Sequence, residues 1–214
     1  MARIRVRQHV NPLSQQYEKR VSPPDWSQVY SDLSKPLHLD IGCGWGEFLL
    51  QMAQVVPDWN YLGLEIREPV VNAAIANRDR ADLKNLHYIF CNANNALTTL
   101  LASLPDVKLQ RVSIQFPDPW FKRRHQKRRI VQANLVETVA KYLEREGEIF
   151  LQSDIEEVTK EMRDRFLEHP NLFLKHRHWL EANPLPVSTE REVSTLTHQD
   201  PVYRCLLLKK LSNN

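Results

Sequence analysis

Glycine is scarce, with five among 214 residues, and no internal repeat or low-complexity stretch is present, which excludes fibrous architectures. Cysteine is scarcer still. Cys43, Cys91 and Cys205 make neither a CxxC pair nor an even set, which excludes a disulfide framework and fits a reduced, cytoplasmic protein. No metal is expected, because the histidines are scattered and His176-Arg177-His178 lacks a partner at metal-ligand spacing. No apolar run extends beyond a handful of residues, so no membrane partner is expected. The basic start, Ala2-Arg3-Ile4-Arg5-Val6-Arg7, is not followed by the apolar stretch of a secretory signal. What remains is ordinary globular composition, 42% hydrophobic and 26% charged, at a length suited to one domain with a short appendage.

Two local concentrations stand out against these averages. Three of the five glycines, Gly42, Gly44 and Gly46, fall in one five-residue window. Six of the 29 basic residues fall between Lys122 and Arg129; without them 23 basic face 26 acidic residues, a net of −3. One patch therefore sets the positive sign of the whole chain.

Residues 1–33 hold Pro12, Pro23, Pro24 and scattered basic residues without periodicity, and read as an irregular arm. Such an arm is compatible with ordering on RNA and equally with a disordered tail. From residue 34 to 214 a single domain is expected. Short apolar runs at Leu37–Ile41, Tyr61–Glu65, Leu86–Phe90, Arg111–Phe116 and Glu148–Leu151 read as strands. Helical patterns lie between them at Phe48–Val56, Val70–Asp82 and Asn94–Leu104. A further one runs from Val131 through Leu143 to a stop at Gly147. Ile155, Val158, Met162 and Phe166 mark another helix, and Leu172–Lys175 and Val202–Leu208 two late strands separated by a proline-rich loop. This alternation predicts a doubly wound α/β fold, Rossmann-like, with ligands at the carboxyl ends of the strands.

Asp40-Ile41-Gly42-Cys43-Gly44-Trp45-Gly46 ends the first strand, and Glu65 ends the second. Glycine lets the backbone turn tightly and approach a ligand, and a carboxylate at Glu65 suits the two hydroxyls of a ribose. The loop is G-x-G-x-G with an acid two residues before it, not the dinucleotide G-x-G-x-x-G. Asp40 would repel a pyrophosphate but suits the ammonium and sulfonium of S-adenosylmethionine. Cys43 reads as a small filler, having no base beside it.

The fourth strand runs into Phe116-Pro117-Asp118-Pro119-Trp120-Phe121 and then the basic run. The prolines stiffen the backbone around Asp118, either as a plain rigid turn or to aim its carboxylate at the donor. Aromatic faces for bases beside cations for phosphates make an RNA-binding combination, with Trp120 or Phe121 as stacking surfaces and Trp120 equally placed to be a core anchor. Asp154, after the fifth strand, has two roles open to it, capping the next helix or facing substrate.

The glycine loop, Gly63-Leu64-Glu65, Pro117-Asp118-Pro119-Trp120, the run Lys122–Arg129 and Thr189-Glu190-Arg191-Glu192 resemble the bacterial tRNA (guanine-N7-)-methyltransferases over roughly Leu37–Lys209. The resemblance implies a class I methyltransferase fold: a seven-stranded, mostly parallel sheet with helices on both faces and the last strand antiparallel. It implies methylation of guanine N7 in the tRNA variable loop, with tRNA as partner; no obligatory protein partner is evident in the sequence, and a monomer or homodimer is expected. Carried onto this chain, Asp40, Gly42, Gly44, Glu65, Asn92 and Asp118 would bind S-adenosylmethionine, with Asp118 also catalytic. Lys122, Arg124, Lys127, Arg128, Arg129, Asp154, Thr189 and Glu192 would meet the tRNA. Asn92 departs from the pattern, which has Asp there. Three rivals remain on the residues alone. A methyltransferase acting on an exocyclic amine would carry Asp or Asn before Pro-Pro and an aromatic. A non-catalytic RNA-binding scaffold would fail to bind the donor. A nicotinamide dehydrogenase conflicts with the glycine spacing.

Overall fold

The computed structural model describes residues 10–18, 21–106 and 108–210. The first nine residues of the expected arm lie outside that set. Seven strands form one sheet: β1 (Leu37–Ile41), β2 (Asn60–Glu65), β3 (Leu86–Phe90), β4 (Leu109–Gln115), β5 (Leu143–Ser153), β6 (Leu172–Leu174) and β7 (Tyr203–Lys209). Their order is β3-β2-β1-β4-β5-β7-β6. Strands β1 to β5 pair in parallel, and β7 runs antiparallel between β5 and β6. Every residue of β1 and β2 is buried, as expected of parallel strands covered on both faces.

Helices α2 (Glu47–Val55) and α3 (Glu68–Arg80) cover one face, where Phe48, Leu49, Met52 and Ala74 pack with Tyr61 and Phe150. The other face carries α4 (Ala93–Ser103), α5 (Ala133–Tyr142) and α6 (Glu156–Leu167), closing over Leu39, Ile41, Val112 and Leu151. A short helix α1 (Trp26–Val29), capped by Asp25, joins this second cluster through Trp26 and Tyr30, both under 5% exposed. The latter half of the segment read as an arm is thus part of the core. Among the described residues no helix is long and apolar enough to cross a membrane.

Two elements differ from the sequence expectation. The helix expected to run to Gly147 ends at Tyr142, because Leu143 already pairs with Leu109 as part of β5. Glu144 to Gly147 bulge out of the ladder, with Glu146 at φ +59°, and β5 resumes opposite Arg111. The proline-rich loop contains a helix, α7 (Glu190–Thr197), whose N-cap Thr189 accepts a hydrogen bond from the Glu192 amide at 3.1 Å. The Thr-x-x-Glu spacing is a capping signal.

Strand order reverses between β1 and β4, so the chain leaves that point in opposite directions. In such sheets the crevice beyond these carboxyl ends receives the ligand.

Candidate active site

A cavity of about 660 Å³ opens at that crevice. The strand ends deliver Asp40 from β1, Glu65 from β2, and Gln115 and Asp118 from β4 and the loop after it; Gly42, Gly44 and Asn92 complete the wall. Gly42 and Gly44 have φ of +85° and +57°, and a Cβ on either would meet no protein atom within 4 Å. Their constraint is therefore conformational, and their open side faces the cavity. Gly46 differs: a Cβ there would lie 2.7 Å from the Tyr88 ring, whose hydroxyl donates to the Gly46 carbonyl at 2.7 Å. Tyr88 is a loop-shaping residue that sequence reasoning missed. Burial pushes the Cys43 thiol well up, consistent with a filler and not a nucleophile.

The two carboxylates are satisfied in opposite ways. Glu65, 5% exposed, accepts from the amides of Gly44, Ile66 and Arg67 and, through both oxygens, from the Arg67 guanidinium at 2.9 and 3.0 Å. It thereby ties the glycine loop to the end of β2. Asp40, 4% exposed, has neutral partners: the Ser113 hydroxyl at 2.5 Å and the Gln115 amide at 3.4 Å, both on Oδ1. Burial pushes its carboxyl up to about 6 against these bonds, with the Glu65 charge adding to the rise. Among the described residues no cation pairs with this carboxylate, so only neutral hydrogen bonds oppose the effect of burial.

After β4 the backbone is strained. Phe116 and Trp120 have φ of +47° and +43°, a costly region for bulky residues, and they bracket Pro117-Asp118-Pro119. The Phe116 amide donates to the Gln152 carbonyl at 2.8 Å. Arg129 holds the other end, donating to the carbonyls of Pro119 (3.0 Å) and Trp120 (3.4 Å) while pairing with Glu161. Asp118 is therefore fixed by strain and an arginine clamp. The basic run forms a 3-10 helix over Arg123–Arg128. Lys122, Arg124 and Lys127 are exposed, whereas Arg128 reaches the cavity and stacks its guanidinium 4.9 Å above the Trp120 ring. Trp120 belongs to neither core cluster, so the core-anchor alternative is not realised. Phe121 is 71% exposed.

A family model described as "Putative methyltransferase" matches residues 34–205. A tRNA (guanine-N(7)-)-methyltransferase of Microcystis aeruginosa is 57% identical over 207 residues, 96% of this chain and 98% of that protein. One of Trichormus variabilis is 58% identical over 205 residues, covering 95% of each. The chain belongs to the tRNA (guanine-N7-)-methyltransferase family. Among solved structures, a precorrin-6y C5,15-methyltransferase from Geobacter metallireducens superposes with a TM-score of 0.54 at 16% identity, over 83% of this chain and 80% of that one, and shares the fold.

Within this member of the tRNA (guanine-N7-)-methyltransferase family, Asn92 where Asp was expected has a structural reason. Its Oδ1 accepts from the Asn94 amide at 3.1 Å and caps α4, while its Nδ2 donates to the Pro12 carbonyl at 3.0 Å. A carboxylate could do the first but not the second. Pro12 and Val10 line the cavity, and Tyr17 packs edge-on to Phe90 at 6.4 Å. Asn92 thus holds Pro12 against the cavity wall.

The remaining family motif residues divide. Thr189 and Asp154 line the cavity; Asp154 pairs with Arg191 and does not cap α6, which has Ile155 at its N-cap and no side-chain cap. Glu192 is not at the cavity. Its carboxylate, 1% exposed, pairs with Arg204 at 2.7 Å and accepts from Asn183 and Gln152. Arg129 likewise turns inward. Neither of these two expected tRNA contacts lines the cavity; each is held behind residues that do. Among the described residues no cluster of His, Cys, Asp or Glu could hold a metal.

Proposed function

We propose that the chain transfers a methyl group from S-adenosylmethionine to N7 of a guanine in the tRNA variable loop, in the cytoplasm and without a metal. The observation that carries this is the convergence of Asp40, Glu65 and Asp118 from three strand ends on one cavity rimmed by the Arg128–Trp120 stack, in a chain more than half identical to relatives named for that reaction. The donor fits the residues present. Gly42 and Gly44 leave room beside it, and Asp40 supplies a buried negative charge for its ammonium and sulfonium end.

S-Adenosylmethionine supplies an electrophilic methyl carbon on a sulfonium. The N7 lone pair lies in the plane of the purine and carries no proton, so a new C–N bond forms as the C–S bond breaks. The electron pair goes to sulfur, the positive charge passes to the guanine ring, and no general base is needed. The protein's work is alignment and charge. Asp40 binds the donor's ammonium. Glu65 takes the ribose hydroxyls, sharing or exchanging with Arg67, which already occupies both of its oxygens. Gly42, Gly44 and Asn92 shape the adenosine side. Asp118, stiffened on both sides, holds the reacting groups in line and stabilises the cation developing on guanine. Asp154 and Thr189 face the nucleoside. Lys122, Arg124, Lys127 and Arg128 meet the tRNA phosphates, in a sequence-independent, salt-sensitive way.

The test is transfer of labelled methyl to an unmodified tRNA transcript and to one with adenine in place of the variable-loop guanine, with labelled nucleosides separated by chromatography. 7-Methylguanosine from the first and none from the second is expected. Label in another nucleoside would overturn the substrate assignment.

A further inference from the structure

A buried polar chain lies behind Asp40 and outside the cavity. Ser113 on β4 and His38 on β1 are both fully buried and neither lines the cavity. His38 Nε2 is 2.9 Å from Ser113 Oγ, which is 2.5 Å from Asp40 Oδ1. The chemistry fixes the direction of this chain. A serine hydroxyl has one proton; given to the carboxylate, it leaves Oγ only as an acceptor, so His38 must donate from Nε2. Burial and the Arg111 charge hold the imidazole neutral. Its other nitrogen, Nδ1, is then a bare lone pair, buried with no partner among the described residues. The imidazole packs against the Phe48 and Tyr61 rings, centroids 5.9 and 5.8 Å away, and the Tyr61 hydroxyl is committed to the Val56 carbonyl at 2.9 Å. A histidine kept only for packing would be matched or bettered there by an apolar side chain, because a desolvated, unmatched acceptor is a cost to the fold.

We propose that His38 and Ser113 are positioning residues for methyl transfer: His38 orients the Ser113 hydroxyl, and that hydroxyl holds Asp40 Oδ1 so that Oδ2 meets the donor's ammonium. The inference rests on reading Asp40 as the ammonium anchor. Among the described residues, the groups facing Asp40 are Ser113 and Gln115 from β4, Glu65 from β2, Tyr88 from β3 and Cys43 from its own loop. Of these, Ser113 does most to favour the charged carboxylate against burial. Binding an ammonium requires that charge, so loss of the hydroxyl moves the acid limit of donor binding upward.

The experiment is calorimetric titration with S-adenosylhomocysteine from about pH 5 to about pH 8.5, on the full chain and on Ser113→Ala, Ser113→Thr, His38→Leu, His38→Leu/Ser113→Ala and Asp40→Asn. Ser113→Ala is expected to raise the midpoint of acid loss by about one pH unit and to weaken binding several-fold at neutral pH. Ser113→Thr keeps the hydroxyl and behaves as the parent. His38→Leu shifts the midpoint in the same direction by less, and the double variant matches Ser113→Ala, since His38 acts through that hydroxyl. Parent-like binding by Ser113→Ala while Asp40→Asn binds weakly would overturn the proposal and leave the anchor reading standing. Equal loss at every pH in the alanine and threonine variants would mark a structural role and also overturn it. Parent-like binding by Asp40→Asn would sink the anchor reading and the proposal together.

Discussion

Asp40 and Glu65, at the ends of adjacent strands, are 4% and 5% exposed and held by protein hydrogen bonds, Glu65 through both oxygens and Asp40 through Oδ1, whereas Lys122, Arg124 and Lys127 are exposed on and beside a six-residue 3-10 helix. The first group is held by a sheet with a core on each face. The second belongs to a segment with no buried residue of its own. On the proposed function, a small donor would meet preorganised charge, and a large polyanion solvent-exposed charge that salt screens. Asp118 sits at the seam, carried by a strained loop that one arginine fastens to α6.

Variants that move a residue across this division test it, and the largest effect belongs to the ion pair under α7. Arg204→Met leaves the Glu192 carboxylate buried without its cation, and a loss of about 3–5 kcal/mol in unfolding free energy is expected, read by chemical denaturation. A loss under about 1 kcal/mol would mean that α7 is not part of the rigid half. Asp118→Ala is expected to lower kcat/KM by about 10²-fold with donor affinity changed only a few-fold; near-parental turnover would remove Asp118 from the mechanism.

Next come the residues of the basic run. Replacing Lys127 and Arg128 together by alanine should weaken tRNA binding and flatten its dependence on log salt by roughly 0.7–0.9 per charge removed, leaving the donor isotherm unchanged. Arg129→Ala, next in sequence, should do the reverse, slowing turnover by releasing Pro119 and Trp120 while the salt slope stays near the parent's. Identical behaviour of the two variants, in filter binding across salt, would erase the distinction. Because the Asp40 carboxyl is raised to about 6 and the donor needs it ionised, donor affinity should fall as pH drops below that value and hold above it. Asn92→Asp is the mildest change. It forfeits the Pro12 bond, worth about 1 kcal/mol, and should speed amide hydrogen exchange in residues 10–17 with little effect on global stability.

Much of this was legible in the sequence because periodicity and turn chemistry report on local backbone. The strands, the doubly wound order and the cavity wall from Asp40 to Asp118 follow from alternation, the glycine window and the proline pair. Glu192 and Arg129 were legible as motif members but not in their orientation. Whether a charge points to solvent or to a buried partner depends on Arg204 and Glu161, 12 and 32 residues further along the chain. The strain at Phe116 and Trp120 carries no compositional mark, since glycine would be the usual choice at positive φ. Helix α7 did have a mark, the Thr189–Glu192 spacing, obscured by the prolines before it. The bulge at Glu144–Gly147 is a matter of register against β4, which no local pattern encodes.

The most direct test of the two-part cavity is to measure S-adenosylhomocysteine and tRNA binding side by side from about 50 to about 200 mM salt. A tRNA affinity that falls steeply while the cofactor-product affinity stays nearly flat is the predicted result. Parallel loss of both would contradict the account, because the donor would then depend on the same screened charges as the RNA.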